Sequence, residues 1–162
     1  YREAIRLIPR FPLAYNNIGN LLASQDKLDE AIENYRKAIE IHPRDPYGHW
    51  NIANALMKKG QMDEAIAEYA RALEYAPDNA DFANDLGNAL VRAGRIDEGV
   101  RYYVRATELD PKHVSAHCNL GAIYAAAGRN EQAAAHYRHA LAANPHAETA
   151  RKGLEKLGLP AQ

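Results

Sequence analysis

Five prolines recur at one interval along the chain and determine its organisation. Successive members are 34 residues apart without a single insertion: Pro9, Pro43, Pro77, Pro111 and Pro145. Alanine keeps the same interval at 4, 38, 72, 106 and 140, and tyrosine keeps it at 1, 35, 69, 103 and 137. Self-similarity at such a period is typical of repeat architectures. We predict full units at 12–45, 46–79, 80–113 and 114–147, preceded by a remnant second helix at 1–11 and followed by a capping helix and tail at 148–162.

Each unit is predicted to fold into two antiparallel helices. In the first unit Ala31, Tyr35 and Ala38 lie on one buried stripe of the second helix. Between the two helices one column holds Asp26, Gly60, Gly94 and Gly128. A left-handed residue commonly ends a helix at such a position. One helix pair cannot bury its stripe alone, so stacked neighbours must complete the core. The predicted fold class is therefore an all-α solenoid.

The two ends of the chain lead to different expectations. The last segment carries charged residues around Ala150 and Leu154, which is typical of a solvated C-terminal cap. The first residue, Tyr1, falls in the middle of a helical pattern, so we interpret the chain as part of a longer one. The helix that would pair with the N-terminal remnant is missing. We therefore expect an exposed apolar surface there and self-association through that end.

Composition disfavours several classes of function. The formal net charge is -1, which gives no general attraction to nucleic acid. No apolar run approaches the length of a membrane-spanning helix, so we expect no membrane insertion. Cys118 is the single cysteine and has no internal disulfide partner. Because glycine-rich phosphate loops and nucleophile elbows are absent from the sequence, we expect no enzyme and no cofactor.

Several histidines raise the question of a metal site. His113, His117 and Cys118 lie close together in sequence, as do His136 and His139. However, no second paired cluster completes four protein ligands. We therefore expect no functional metal site.

The recurring pattern resembles the tetratricopeptide repeat family, whose unit is a 34-residue helix pair. The resemblance rests on the small, aromatic and proline columns, with lapses at Ala83, Gly99 and Asn130. A large aliphatic residue followed by a small one recurs in each unit, as Ile18-Gly19, Ile52-Ala53, Leu86-Gly87 and Leu120-Gly121. The resemblance covers essentially the whole chain. It implies a right-handed superhelix whose first helices line a concave groove. It also implies a binding scaffold rather than a catalyst.

Two asparagine columns lie on the first helices. One holds Asn17, Asn51, Asp85 and Asn119, and the other holds Asn20, Asn54 and Asn88 before it lapses at Ala122. The columns are three residues apart and so share one helix face. A carboxamide can both donate to and accept from the backbone of an extended peptide. The array is similar to the asparagine ladder of O-linked N-acetylglucosamine transferase repeats, but the same amides could instead bridge adjacent repeats or cap loops.

Neighbouring side chains are expected to give the groove its specificity. Tyr47 and Trp50 are aromatic residues of the kind that anchor binding interfaces. The alternative for Trp50 is packing between repeats. The predicted peptide-binding residues are Asn16, Asn17, Asn20, Tyr47, Trp50, Asn51, Asn54, Asn84, Asp85, Asn88 and Asn119. A carboxylate clamp of the chaperone-binding kind is disfavoured, because Asn16, Asp81 and Asp85 occupy positions that should be basic.

The predicted function is a protein-interaction scaffold that binds an extended segment of a protein or peptide partner. One alternative is a structural arm that assembles through its repeat ends. Another is a regulatory or substrate-recruiting region of a larger enzyme such as a glycosyltransferase. The sequence does not identify the partner.

Overall fold

The computed structural model describes residues 11–160, and these form nine α-helices without a β-strand. The helices are α1 (Pro12–Ser24), α2 (Leu28–Ile41), α3 (Pro46–Lys59), α4 (Met62–Tyr75), α5 (Ala80–Arg92), α6 (Ile96–Leu109), α7 (Val114–Ala126), α8 (Asn130–Ala143) and α9 (Glu148–Lys156). The all-α class expected from the sequence is confirmed. The remnant helix proposed at the N-terminus, and the self-association expected there, concern residues 1–10 and lie outside the described part.

The turns inside the helix pairs have a common backbone geometry. Gly60, Gly94 and Gly128 have φ values of 80°, 82° and 73°. Asp26, in the same column, has a φ of 61° and is the one non-glycine residue of 11–160 with positive φ. The left-handed conformation ends the first helix and turns the chain into the second, as the sequence predicts.

Capping residues define where the first helices begin. The Asp45 carboxylate accepts from the backbone N–H of Tyr47 at 3.1 Å, and Pro46 occupies the first turn of α3. Asn79 caps α5 by accepting from Phe82 N–H at 3.0 Å. These side chains satisfy backbone donors that a helix start leaves unpaired.

The chain divides into two compact units, Tyr1–Asp78 and Asn79–Gln162. In the first unit α1 packs on α2, α3 packs on α4, and α2 also packs on α3. Tyr35 and Tyr69 are almost fully buried. A Cβ added to Gly19 would lie 2.4 Å from Cε1 of Tyr35, so this glycine makes room for the aromatic ring.

The second unit repeats this arrangement and ends in α9. Tyr103 packs on Gly87 of α5, and Tyr137 packs on Gly121 of α7. The α9 side chains of Ala150 and Leu154 are fully buried in a cluster that includes Tyr137. The exposed face of α9 carries Arg151, Lys152, Glu155 and Lys156. Helix α9 thus covers an apolar surface of the last pair and presents charged residues to solvent.

Candidate functional site

The second asparagine column pairs with buried tyrosines. Tyr35 donates its hydroxyl proton to Oδ1 of Asn20 at 2.8 Å, and Tyr69 donates to Oδ1 of Asn54 at 2.6 Å. Each bond joins the first and second helix of one pair. A buried tyrosine hydroxyl needs such an acceptor. These asparagines therefore have a structural role inside the helix pair, which the sequence analysis did not consider.

The first column behaves differently in the first unit. Neither Asn17 on α1 nor Asn51 on α3 makes a side-chain hydrogen bond to any of residues 11–160. Both side chains are partly exposed. Because the column has the same register in both helices, the two carboxamides occupy equivalent places on α1 and α3. Within the described part of the chain their donors and acceptors therefore have no side-chain hydrogen bond.

A third amide links α1 to the start of α3. Asn16 donates from Nδ2 to Oδ2 of Asp45 at 3.2 Å. The other oxygen of the same carboxylate caps α3, so one side chain serves both contacts. The Oδ1 atom of Asn16 is buried and has no partner among the described residues. This link helps to fix the register between α1 and α3.

Two aromatic residues lie beside the amides of α3. Tyr47 is 58% exposed, although it lies in the first turn of the helix. Trp50 is partly exposed and precedes Asn51. One large exposed side chain and one partly exposed side chain therefore flank a carboxamide that makes no side-chain hydrogen bond to residues 11–160.

In the second unit the amides form a closed network. Nδ2 of Asn119 on α7 donates to the Oδ1 atoms of Asn84 and Asn88 on α5, each at 3.0 Å. The amides of Asn84 and Asn88 in turn donate to Oδ1 of Asp85 at 3.2 and 3.3 Å. Here the asparagines bridge neighbouring helix pairs, which is the alternative that the sequence left open.

Tyr103 completes this network and is perturbed by it. Its hydroxyl donates to Oδ1 of Asn88 at 2.8 Å. Burial, reinforced by the negative charge of Asp85, raises the pKa of Tyr103 to about 12. The phenol is therefore protonated at neutral pH, and its hydroxyl donates a hydrogen bond that orients the Asn88 side chain.

The tyrosine partners were the feature that sequence reasoning missed. The signal was present, because Tyr35, Tyr69 and Tyr103 each follow an asparagine of the second column by 15 residues. Two polar columns in the same register suggest a contact inside the repeat. The predicted asparagines therefore fall into two groups: those that hydrogen-bond to other side chains, and Asn17 and Asn51, which make no such bond to residues 11–160.

Metal-ligand groups and membrane-spanning helices are absent from the part of the chain that the structure describes. Residues 11–160 contain no group of three or more His, Cys, Asp or Glu side chains arranged to hold a metal ion. Nor does any helix in that range have the length and apolar character that crossing a bilayer requires.

Comparison with known proteins supports the repeat architecture. The family model described as TPR repeat matches residues 19–60 and 53–94, and the model described as Tetratricopeptide repeat matches residues 84–148. No curated protein matches the chain in sequence.

Solved structures of similar fold include two forms of MamA. A crystal structure of MamA has a TM-score of 0.81 at 19% identity and covers 90% of this chain and 85% of its own. MamA 41-end from Desulfovibrio magneticus RS-1 has a TM-score of 0.79 at 21% identity and covers 89% of this chain and 81% of its own. At this identity the likeness shows the fold alone. With family models that together span most of its length, the chain belongs to the tetratricopeptide repeat family and is built as a protein-interaction scaffold.

Proposed function

We propose that the first-helix face of the unit Tyr1–Asp78 binds an extended segment of a protein partner. The observation that carries the proposal is a pair of carboxamides, Asn17 on α1 and Asn51 on α3, that make no side-chain hydrogen bond to residues 11–160. A carboxamide can donate to a peptide C=O and accept from a peptide N–H, so it grips the backbone without reading side chains. The corresponding amide of Asn119 is already engaged, which favours the first unit as the binding part.

Aromatic contacts add binding energy at the same face. Tyr47 exposes 58% of its surface next to the polar column. Tyrosine and tryptophan bury a large area with few rotatable bonds and are enriched among residues that dominate binding energy. In this proposal Asn17 and Asn51 hold the peptide backbone, while Tyr47 and Trp50 contact one or two of its side chains.

The experiment compares capture of partners from a lysate by variants of the full chain. We expect Asn17→Ala with Asn51→Ala to lose partners that the unchanged chain retains, at unchanged helicity. The matched control is Glu33→Ala with Arg36→Ala, because these exposed residues lie on α2 rather than on a first helix. Equal capture by the unchanged chain and the asparagine variant contradicts the proposal.

A second measurement locates the contact. Trp50 is the single tryptophan, so its emission reports on this face without labelling. Synthetic segments of a captured partner should shift that emission, and a photo-cross-linking residue at 47 should label the same segment. A captured partner that leaves the emission unchanged and cross-links elsewhere places binding outside this face.

A further inference from the structure

The first-helix face of the unit Tyr1–Asp78 is apolar towards the N-terminal ends of its helices. Leu13 on α1 is 57% exposed, and Tyr47 on α3 is 58% exposed. The two residues occupy equivalent repeat positions, 34 residues apart. Each precedes the amide of its own helix, Asn17 or Asn51, by four residues, so the apolar side chain and the amide lie one turn apart on the same side of the helix. Covering these side chains favours a partner with apolar groups at this end.

The opposite end of the same stripe on α3 carries a positive charge. Lys58 follows Asn54 by four residues and Asn51 by seven. Helical side chains tilt towards the N-terminus of the helix, so the long Lys58 side chain leans back over these amides. It is exposed and makes no side-chain hydrogen bond or ion pair with any of residues 11–160. The next residue differs, because Lys59 is paired with Asp29 on α2.

Negative charge in this unit is concentrated on the second helices. Helices α1 and α3 contain no aspartate or glutamate, whereas α2 and α4 carry four each. Asp45, which caps α3, already accepts hydrogen bonds from Asn16 and Tyr47 through its two oxygens. In the turn after α1, the adjacent Asp26 and Lys27 offset each other in charge. The charge of Lys58 is therefore left unbalanced on the first-helix face.

An extended segment held by Asn17 and Asn51 would cross both helices. Its backbone groups would point at the two carboxamides, and its successive side chains would point alternately to opposite sides. One side is the N-terminal end of the helices, where Leu13 and Tyr47 are exposed. The other side is the C-terminal end, where Lys58 is exposed. The face thus offers an apolar surface to every second side chain and a positive charge to those between.

We propose that this face selects an extended protein segment in which apolar and acidic side chains alternate. The apolar side chains contact Leu13 and Tyr47, and one carboxylate pairs with Lys58. This inference rests on the proposed function, because it needs the backbone to be held by Asn17 and Asn51. It adds the chemical class of the partner segment to that function.

The second unit presents a different surface at the equivalent positions. Asp81 and Ser115 stand where the first unit has Leu13 and Tyr47. The Asp81 side chain is exposed and brings a negative charge to the end that is apolar in the first unit. Arg92 retains a positive charge at the other end. Because the apolar end is missing, we expect no comparable selection by the unit Asn79–Gln162.

The experiment measures fluorescence anisotropy of labelled synthetic peptides titrated with the full chain. The peptides are equal in length, with blocked termini so that no terminal carboxylate contributes. One alternates apolar and acidic residues, one alternates apolar and basic residues, and one has the composition of the first with the two kinds of residue in separate blocks. We expect the first to bind about three- to tenfold more tightly than the basic one, with a difference that shrinks at high salt. The block peptide should bind more weakly than the first.

The test variant Lys58→Glu should reverse the preference, so that the alternating basic peptide binds more tightly than the acidic one. A lysine in the last turn also stabilises the helix dipole, but losing that effect changes stability and not which peptide is preferred. The matched control is Lys37→Glu, which makes the same change of charge at an exposed position on α2. It should leave the preference unchanged. If Lys58→Glu fails to fold, Lys58→Gln replaces it and should abolish the discrimination between acidic and basic peptides.

The outcomes separate this inference from the function on which it rests. An unchanged preference in both Lys58 variants, equal binding of the block peptide, or no binding of any peptide overturns the inference. Asn17→Ala with Asn51→Ala should lose the alternating acidic peptide. If it retains that peptide, backbone holding by these amides fails and the inference fails with it. A dimer that sediments with the unchanged chain and is lost in Lys58→Glu also overturns the inference, since a second copy would then occupy the face.

Discussion

At the scale of single residues, asparagines in the first helices serve different purposes according to their column. Asparagine is a poor helix former and costs about 0.5 kcal/mol relative to alanine in a helix interior. Asn54 offsets that cost by accepting the hydrogen bond of the buried Tyr69 hydroxyl. Asn51, three residues earlier, has no such bond to residues 11–160. The helix therefore carries one asparagine for stability and one whose cost the fold does not explain.

This difference predicts opposite effects for two neighbouring substitutions. Asn54→Ala removes the acceptor to which the Tyr69 hydroxyl donates and should lower the free energy of unfolding by about 1–3 kcal/mol. Asn51→Ala loses no side-chain hydrogen bond to residues 11–160 and should leave stability unchanged or raise it by about 0.5 kcal/mol. Urea unfolding of both variants measures the two effects. A Tyr69→Phe background should abolish most of the cost of Asn54→Ala, and equal effects of the two substitutions contradict the assignment.

At the scale of secondary-structure elements, small residues set how closely the two helices of a pair approach. In the third pair Gly87 of α5 and Gly99 of α6 face each other. A Cβ on Gly99 would lie 2.5 Å from Cγ2 of Val91 and 2.9 Å from the carbonyl oxygen of Gly87. The second contact involves backbone, so a side-chain rotation cannot relieve it.

Gly99→Ala therefore tests the packing of α5 on α6. The other repeats carry alanine at this position, which on helix propensity alone predicts a gain of about 1 kcal/mol. Overpacking costs typically about 1–3 kcal/mol. We expect a net loss of about 1 kcal/mol, measured as a lower urea midpoint at unchanged slope. Adding Val91→Ala should reduce the penalty of Gly99→Ala, and a stabilised Gly99→Ala chain contradicts this reading of the interface.

At the scale of the whole molecule, the repeat period predicts the fold better than the site. A 34-residue recurrence of proline, alanine and tyrosine is typical of repeats built from helix pairs. The prolines fall between the pairs, and the alanines and tyrosines form the buried stripe of each second helix. The proposed repeat boundaries stay a prediction, although α3, α5 and α7 begin at Pro46, Ala80 and Val114. The hydrogen bonds from Tyr35, Tyr69 and Tyr103 to the second asparagine column follow this period, but those of the first column do not.

The asparagine network shows why the site was harder to predict. The change from asparagine to Asp85 gives Asn84 and Asn88 a common acceptor and closes the network around Asn119. In the first unit the same register leaves Asn17 and Asn51 unbonded to residues 11–160. Which partner an amide selects depends on the distances and rotamers of neighbours from other helices, and a single sequence does not contain them. Peptide binding by these residues stays a prediction.

The buried tyrosines should make the whole chain less stable at alkaline pH. Burial raises the pKa of Tyr35 and Tyr137, and burial together with Asp85 raises the pKa of Tyr103 to about 12. An unfolded tyrosine ionises at a pKa of about 10. Because the folded state favours the protonated phenol, its contribution is complete below pH 10 and is lost as the pH rises towards 12. Urea unfolding should therefore show falling stability over this range.

The substitution Asp85→Asn measures how much of this loss of stability comes from Tyr103. Asparagine already occupies the equivalent positions 51 and 119, so the substitution suits the repeat. Removing the negative charge should lower the pKa of Tyr103 towards 10 and make the fall in stability with pH shallower. Absorbance at 295 nm follows the phenolates while urea unfolding follows stability, and Asn51→Ala serves as the control. Identical alkaline titration curves for Asp85→Asn and the unchanged chain would mean that Asp85 does not act on Tyr103, and that the network is held by neutral hydrogen bonds alone.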